Sequence, residues 1–234
     1  MDSDRAPAEC RPLICLVSDR HRLSPAASTV RQLDDLVGLV AAAAAAGVDI
    51  VQVRERDLPG RTLTDLVGRC VHAADGSPTR VVVNDRVDVA LAAGAAGVHL
   101  REDSVAAGRA RALGRRGWLV TRAIHDATEI SEQLAGVDLA VFGSVFPTVS
   151  KPAGHGVAGL SALGAAAREA AVPVLAIGGV SEERLEAVWR AGAAGVAGIG
   201  LFIDAARSGH EWAVGLGRLV DRVRQSFDTL QPLV

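Results

Sequence analysis

The chain has 234 residues, is 49% hydrophobic and 22% charged, and carries a formal net charge of −2. That balance leaves no electrostatic footprint for nucleic acid, and three Trp, four Phe and no Tyr offer few rings for stacking bases. Cys10, Cys15 and Cys70 show no C-x-x-C spacing, so neither a disulfide framework nor a zinc site is expected. The acidic start MDSDRAPAEC lacks the order of a signal peptide, and no apolar run reaches the roughly 18 residues of a membrane span. A soluble cytoplasmic protein is expected, with residues 1–11 as a flexible tail and 12–230 as one domain.

The first strand is expected near Leu13–Ser18, followed by a helix over Thr29–Ala46 whose AAAAAA run is strong helix former. A strand near Asp49–Arg54 leads to a helix over Arg61–Ala74, and a strand over Arg80–Asn84 to a helix over Arg86–Ala93. After a strand at Gly97–Leu100, the segment RARALGRR (Arg109–Arg116) reads as a solvated helix face. Strands near Trp118–Thr121, Leu139–Gly143, Pro173–Ile177 and Gly195–Ile199 then alternate with helices over Ala127–Ala135, Leu160–Ala170 and Glu182–Ala191. A last helix covers about Glu211–Phe227.

One phrase recurs along this order: AAGVDIVQVRE (Ala45–Glu55), AAGAAGVHLRE (Ala92–Glu102), AGVDLAVFG (Ala135–Gly143) and AGAAGVAGIG (Ala191–Gly200). Each copy is a small-residue helix end, a glycine suited to a left-handed cap, and a short β-branched run. The strands are apolar on both faces, as buried parallel strands are. Eight such units make the α/β class and a single-domain (β/α)8 TIM barrel the expected fold, with a doubly wound open sheet as the competing arrangement.

In a barrel the reacting groups sit where strands end and βα loops begin. Alternation sends Gln52, Arg54 and Arg56 to one face after the second strand. Asn84 and Asp85 follow the third strand, where they suit either a ligand or a helix cap. His99 lies within the fourth strand and reads as core, with Asp103 just beyond it. His125 precedes Asp126-Ala127-Thr128-Glu129, an N-cap with its capping box, which would bias the imidazole toward the neutral form a general base needs. The competing reading is a histidine that only helps start the helix.

The loop FPTVSKPAGHG is long for a βα connection and offers Thr148, Ser150 and Lys151. Lys151 is the chain's single lysine among 25 Lys and Arg residues. Gly178-Gly179 after the seventh strand, with Ile199 and Gly200 opening a short FIDAARS helix after the eighth, suit a phosphate held on backbone N–H groups. Tight turns alone would account for the same glycines.

VQVRER, VVVNDRVDVALAAGAAGVHL, FGSVFPTVSKPAGHG, VPVLAIGGV and AGAAGVAGIG, in this order, resemble the thiamine phosphate synthase/TenI superfamily of TIM barrels, from about Leu13 to Ala206. The resemblance implies one of two activities. Synthases couple an aminopyrimidine pyrophosphate to a thiazole phosphate, with Mg²⁺ helping pyrophosphate leave. TenI-type proteins tautomerise a carboxythiazole phosphate, with a histidine handling protons and no cofactor.

Three departures from the synthase pattern favour the second. Arg56 stands for the usual lysine, Ala123 for a serine, and Ser104 for the second metal carboxylate, with Asp103 one residue early. The expectation is therefore a TenI-like thiazole tautomerase with His125 as acid–base. Gln52, Arg54, Arg56, Asn84, Asp85, Thr148, Ser150 and Lys151 would bind substrate, and Gly178, Gly179, Ile199 and Gly200 its phosphate. The alternatives are a Mg²⁺-dependent thiamine phosphate synthase, with Asp85 and Asp103 as metal ligands, and an idle thiazole-phosphate-binding module. An unrelated phosphate-binding barrel such as an epimerase is a more distant one. The expected partner is a phosphorylated thiazole, without nucleic acid or membrane, and a homo-oligomer stays open.

Overall fold

The computed structural model describes residues 11–126, 130–148 and 156–229. Apart from Arg11, the expected tail lies outside them. Eight parallel strands close in sequence order into a barrel. They are β1 (Leu13–Val17), β2 (Ile50–Val53), β3 (Arg80–Asn84), β4 (Gly97–Leu100), β5 (Leu119–Ile124), β6 (Leu139–Phe142), β7 (Val174–Ala176) and β8 (Gly195–Gly198). β8 pairs back onto β1, Leu13 opposite Gly195, and this closure rules out the open sheet.

The helices that wrap the barrel are α1 (Arg20–Leu23), α2 (Thr29–Ala45), α3 (Gly60–Ala73), α4 (Val87–Ala92), α5 (Ala107–Leu113), α6 (Ile130–Gln133), α7 (Gly159–Glu169), α8 (Leu185–Arg190), α9 (Gly200–Arg207) and α10 (Trp212–Asp228). A 3-10 turn at Glu182–Arg184 precedes α8. α2 starts where the Ser28 side chain accepts from Arg31 N, and it buries Leu36, Leu39, Val40 and Ala43, a 3.6-residue stripe facing the sheet. α5 stops at Gly114, so Arg115 and Arg116 of RARALGRR belong to the turn beyond it. The short α1 was not foreseen, because four residues carry no periodicity to read.

Two cores result. The larger lies between sheet and helices; the smaller, of Cys15, Val17, Ile50, Val82, Leu119, Leu139, Val141, Leu175 and Ala197, plugs the barrel interior. Two residues along several strands the inward side chains turn polar. Gln52 follows Ile50, Asn84 follows Val82, and Thr121 follows Leu119, all buried. Register sets Asn84 beside His99 and His99 beside Thr121. The apolar plug thus ends in a polar layer at the carboxyl ends of the strands.

Candidate functional site

That layer floors a cavity of about 1040 Å³. Gln52 Nε2 donates to Asn84 Oδ1 at 3.1 Å, and His99 Nδ1 lies 2.8 Å from Thr121 Oγ1. Burial pushes the His99 imidazole down to about 4, with Arg54, Arg122, Arg56 and His125 adding to the effect. His99 is therefore neutral near pH 7. It is buried, as the core reading has it, yet it also lines the cavity.

Gln52, Arg54 and Arg56 line the same cavity, as alternation requires. The residue between them, Glu55, turns away into a buried network. It accepts from Ser18 Oγ at 2.6 Å and from Arg20 Nη1 at 2.9 Å, while Ser18 Oγ accepts from Arg54 N at 2.9 Å. Arg54 is so fixed at its backbone, but its guanidinium makes no ion pair or hydrogen bond among the described residues. Burial, then the charge of Arg56, lowers its proton affinity. A half-buried cation with no partner among the described residues suits an anion.

Asn84 and Asp85 do not cap α4, whose N-cap is Arg86 without a side-chain bond. Asn84 is taken by Gln52. Asp85 has a left-handed backbone (φ 61°) and stands at the rim, where Ser104 Oγ donates to Oδ1 and Arg101 Nη1 lies 3.6 Å from Oδ2. Arg101 Nη2 also pairs with Asp103, which lines the cavity. Arg122 Nη2 donates to the Glu102 carbonyl oxygen at 2.7 Å and pins this loop to β5.

After β7 and β8, Gly178, Gly179, Ile199 and Gly200 line the cavity. Gly179 has φ 63°, and a Cβ there would stand 2.3 Å from Pro147 O, so the close approach of two loops itself requires glycine. Arg184 braces this junction, donating to Gly179 O at 2.6 Å with its guanidinium 4.7 Å over the Phe146 ring. At Gly200 the first N–H groups of α9 lack intrahelical acceptors. Arg22 reaches this helix end and pairs with Asp204 at 2.9 Å. Sequence reasoning missed Arg22 and Arg101, and took Ser104 only for a lost carboxylate. The Arg22–Asp204 pair spans most of the chain and leaves no local signal.

His125 directly follows β5 and lines the cavity, its Nδ1 bonded to the Gly143 carbonyl oxygen. Residues 127–129, on which the capping box rests, lie outside the described residues, and the described part of α6 is Ile130–Gln133. Thr148 lines the cavity; Ser150 and Lys151 lie outside the described residues.

Fold and cavity define a class: a (β/α)8 barrel whose mouth carries arginines after β2, glycines after β7 and β8, and two carboxylates on the loops after β3 and β4. A family model described as thiamine monophosphate synthase matches residues 23–202. The chain belongs to this thiamine phosphate synthase/TenI family of enzymes. It is 30% identical over 219 residues to a thiamine-phosphate synthase of Chlorobium luteolum, covering 93% of this chain and 97% of that protein. It is 39% identical over 173 residues to a thiamine-phosphate synthase of Anaeromyxobacter dehalogenans, covering 74% and 78%. Among solved structures, thiamine phosphate pyrophosphorylase from Pyrococcus furiosus matches with a TM-score of 0.74 and 26% identity, covering 92% of this chain and 96% of that one.

These relatives overturn the tautomerase expectation, since their names are those of synthases and none points to the TenI branch. The physical reason the departures misled is visible at the rim. Ser104 does replace a carboxylate, but the loop brings its hydroxyl onto Asp85 and ties Asp103 to the same Arg101. A second carboxylate is displaced in sequence yet kept at the site.

Proposed function

We propose that this protein is a thiamine phosphate synthase, joining an aminopyrimidine pyrophosphate to a thiazole phosphate with release of pyrophosphate. The observation that carries the reading is Arg54, a half-buried guanidinium without a partner among the described residues, in a cavity that also has a separate rim of glycines and a helix N-terminus. Two separate anion-suited places in one cavity match two phosphorylated substrates. The synthase names of the relatives point the same way.

Arg54 and Arg56 take the pyrophosphate. Asn84, whose Oδ1 is engaged by Gln52, has Nδ2 left to donate to it. The thiazole phosphate sits on the N–H groups around Gly178-Gly179 and Ile199-Gly200. Thr148, Ser150 and Lys151 belong to the loop that closes over the ligands. The thiazole nitrogen attacks the methylene carbon of the pyrimidine; the N–C bond forms as the C–O bond breaks, and the electron pair leaves with pyrophosphate. No proton has to move in this exchange, so His125 is a wall residue held by Gly143 rather than an acid–base group. Positioning and charge stabilisation supply the rate.

The rim also fits Mg²⁺ by donor type. The Asp85 and Asp103 carboxylates and the Ser104 hydroxyl are hard oxygens on adjoining loops, and Mg²⁺ is ordinarily held by one or two carboxylates plus substrate phosphates. Among the described residues no group of three or more His, Cys, Asp or Glu converges, so a shared site suits this rim better than an all-protein cage. Asp85 and Asp103 would hold the ion, which when bound neutralises charge on the departing pyrophosphate.

The test is purified protein with Mg²⁺, aminopyrimidine pyrophosphate and aromatic thiazole phosphate. Thiamine phosphate is the expected product; its absence from folded protein overturns the reading.

A further inference from the structure

Arg101 stands where two carboxylates meet. Nη1 is 3.6 Å from Asp85 Oδ2, and Nη2 pairs with Asp103 Oδ2. The backbone under it is fixed at both ends. Arg101 N donates to Ser104 Oγ at 2.8 Å, Ser104 Oγ donates to Asp85 Oδ1, and Arg122 holds the Glu102 carbonyl. The loop thus folds its own cation back over the oxygens that a divalent ion would use.

We propose that Arg101 is a built-in counter-ion that competes with the divalent cation for Asp85 and Asp103, so that the cation binds well only together with a pyrophosphate group. The inference rests on the synthase reading for why cation and pyrophosphate meet at this rim. Its physical basis is that a guanidinium fork matches phosphate oxygens at least as well as carboxylates. When pyrophosphate arrives, Arg101 has a better partner and releases the two carboxylates to the cation. All three side chains are substantially exposed, so each ion pair is weak and the exchange is easy. Without pyrophosphate the chain itself already balances one of the two carboxylate charges.

The experiment is a titration with Mn²⁺, read by electron paramagnetic resonance, with and without inorganic pyrophosphate and corrected for Mn²⁺–pyrophosphate formed in solution. Arg101→Gln should bind Mn²⁺ about tenfold tighter than the parent without pyrophosphate, the scale expected for losing two exposed ion pairs. Pyrophosphate should strengthen Mn²⁺ binding more in the parent than in this variant. Arg101→Lys keeps the charge and should stay near the parent, and Asp85→Asn should abolish the site in either background.

Equal Mn²⁺ affinity in parent and Arg101→Gln overturns the proposal. So does Mn²⁺ binding that survives Asp85→Asn, or an Arg101→Lys variant that behaves like Arg101→Gln. A melting curve identifies a misfolded variant, and the lysine and asparagine variants then carry the test. No thiazole and no coupling enter the titration, so failure of the synthase assay and failure of this proposal are separate results.

Discussion

Arg20 and Glu55 form an ion pair of 2.9 Å between side chains that are 4% and 2% exposed, linking the first and second βα loops beneath the arginine wall. Ser18 completes the cluster and holds the backbone of Arg54. Removing one partner of a buried pair strands the other charge. Glu55→Ala should therefore cost about 3–5 kcal/mol in urea denaturation. Glu55→Gln should cost less, because its amide oxygen can still accept from Ser18 or Arg20. A loss below about 1 kcal/mol for Glu55→Ala would mean that Asp57, the second partner of Arg20, carries the cluster alone.

Arg54 presents the opposite balance. Its guanidinium is half buried without a partner among the described residues, so Arg54→Gln should leave the melting temperature unchanged or raise it. The same change should lower kcat/KM for thiamine phosphate formation about 10- to 100-fold, the scale of hydrogen bonds to a charged group. Steady-state kinetics on both substrates, beside a thermal melt, separate the two effects.

Gly179→Ala tests the glycine rim. The new Cβ meets Pro147 O at 2.3 Å and Phe146 Cβ at 2.8 Å, on a backbone with φ 63°. Left-handed strain alone is worth about 1–2 kcal/mol, so a loss of about 2–4 kcal/mol is expected with the overlap included. Affinity for thiazole phosphate, measured by calorimetry, should fall with it, because the two loops must part.

Acid should unfold this protein partly through His99. The unfolded imidazole binds its proton at the ordinary 6.5, the folded one only at about 4. Between those values the unfolded chain holds more protons, so stability is intact above pH 6.5 and falls as pH drops toward 4. The loss approaches about 3 kcal/mol at the lower end. Asp57, held below the usual carboxylate range mainly by its hydrogen bond from Arg20, adds a further loss on acidification below its ordinary 3.8. Urea midpoints from pH 7 to pH 4 check this, and His99→Gln should flatten the upper part of the curve.

The barrel was legible because its signals are local. The glycine-then-β-branched phrase marks the helix-to-strand junctions at Gly47, Gly94, Gly136 and Gly192, each of which has positive φ. Strand alternation likewise placed Gln52, Arg54 and Arg56 in the cavity. The sequence was incomplete where burial is shared between distant segments. His99 sits on a strand that reads as core, and only the neighbouring strands reveal that the barrel interior opens just above it. The synthase-to-tautomerase misjudgement came from counting positions after β4, since offsets say nothing of how a loop bends.

By itself the sequence determined the eight-fold alternation, the family, and several of the residues that line the mouth, because helix caps, strand periods and motif order act over a few residues. Only the tertiary structure decided which charges are paired and which are not. Arg20 pairs with Glu55, Arg22 with Asp204, and Arg101 with both Asp85 and Asp103, while Arg54 has no partner among the described residues. Electrostatic energy depends on separation and burial in space, and a closed barrel brings together side chains from its first and last strands that no local pattern relates.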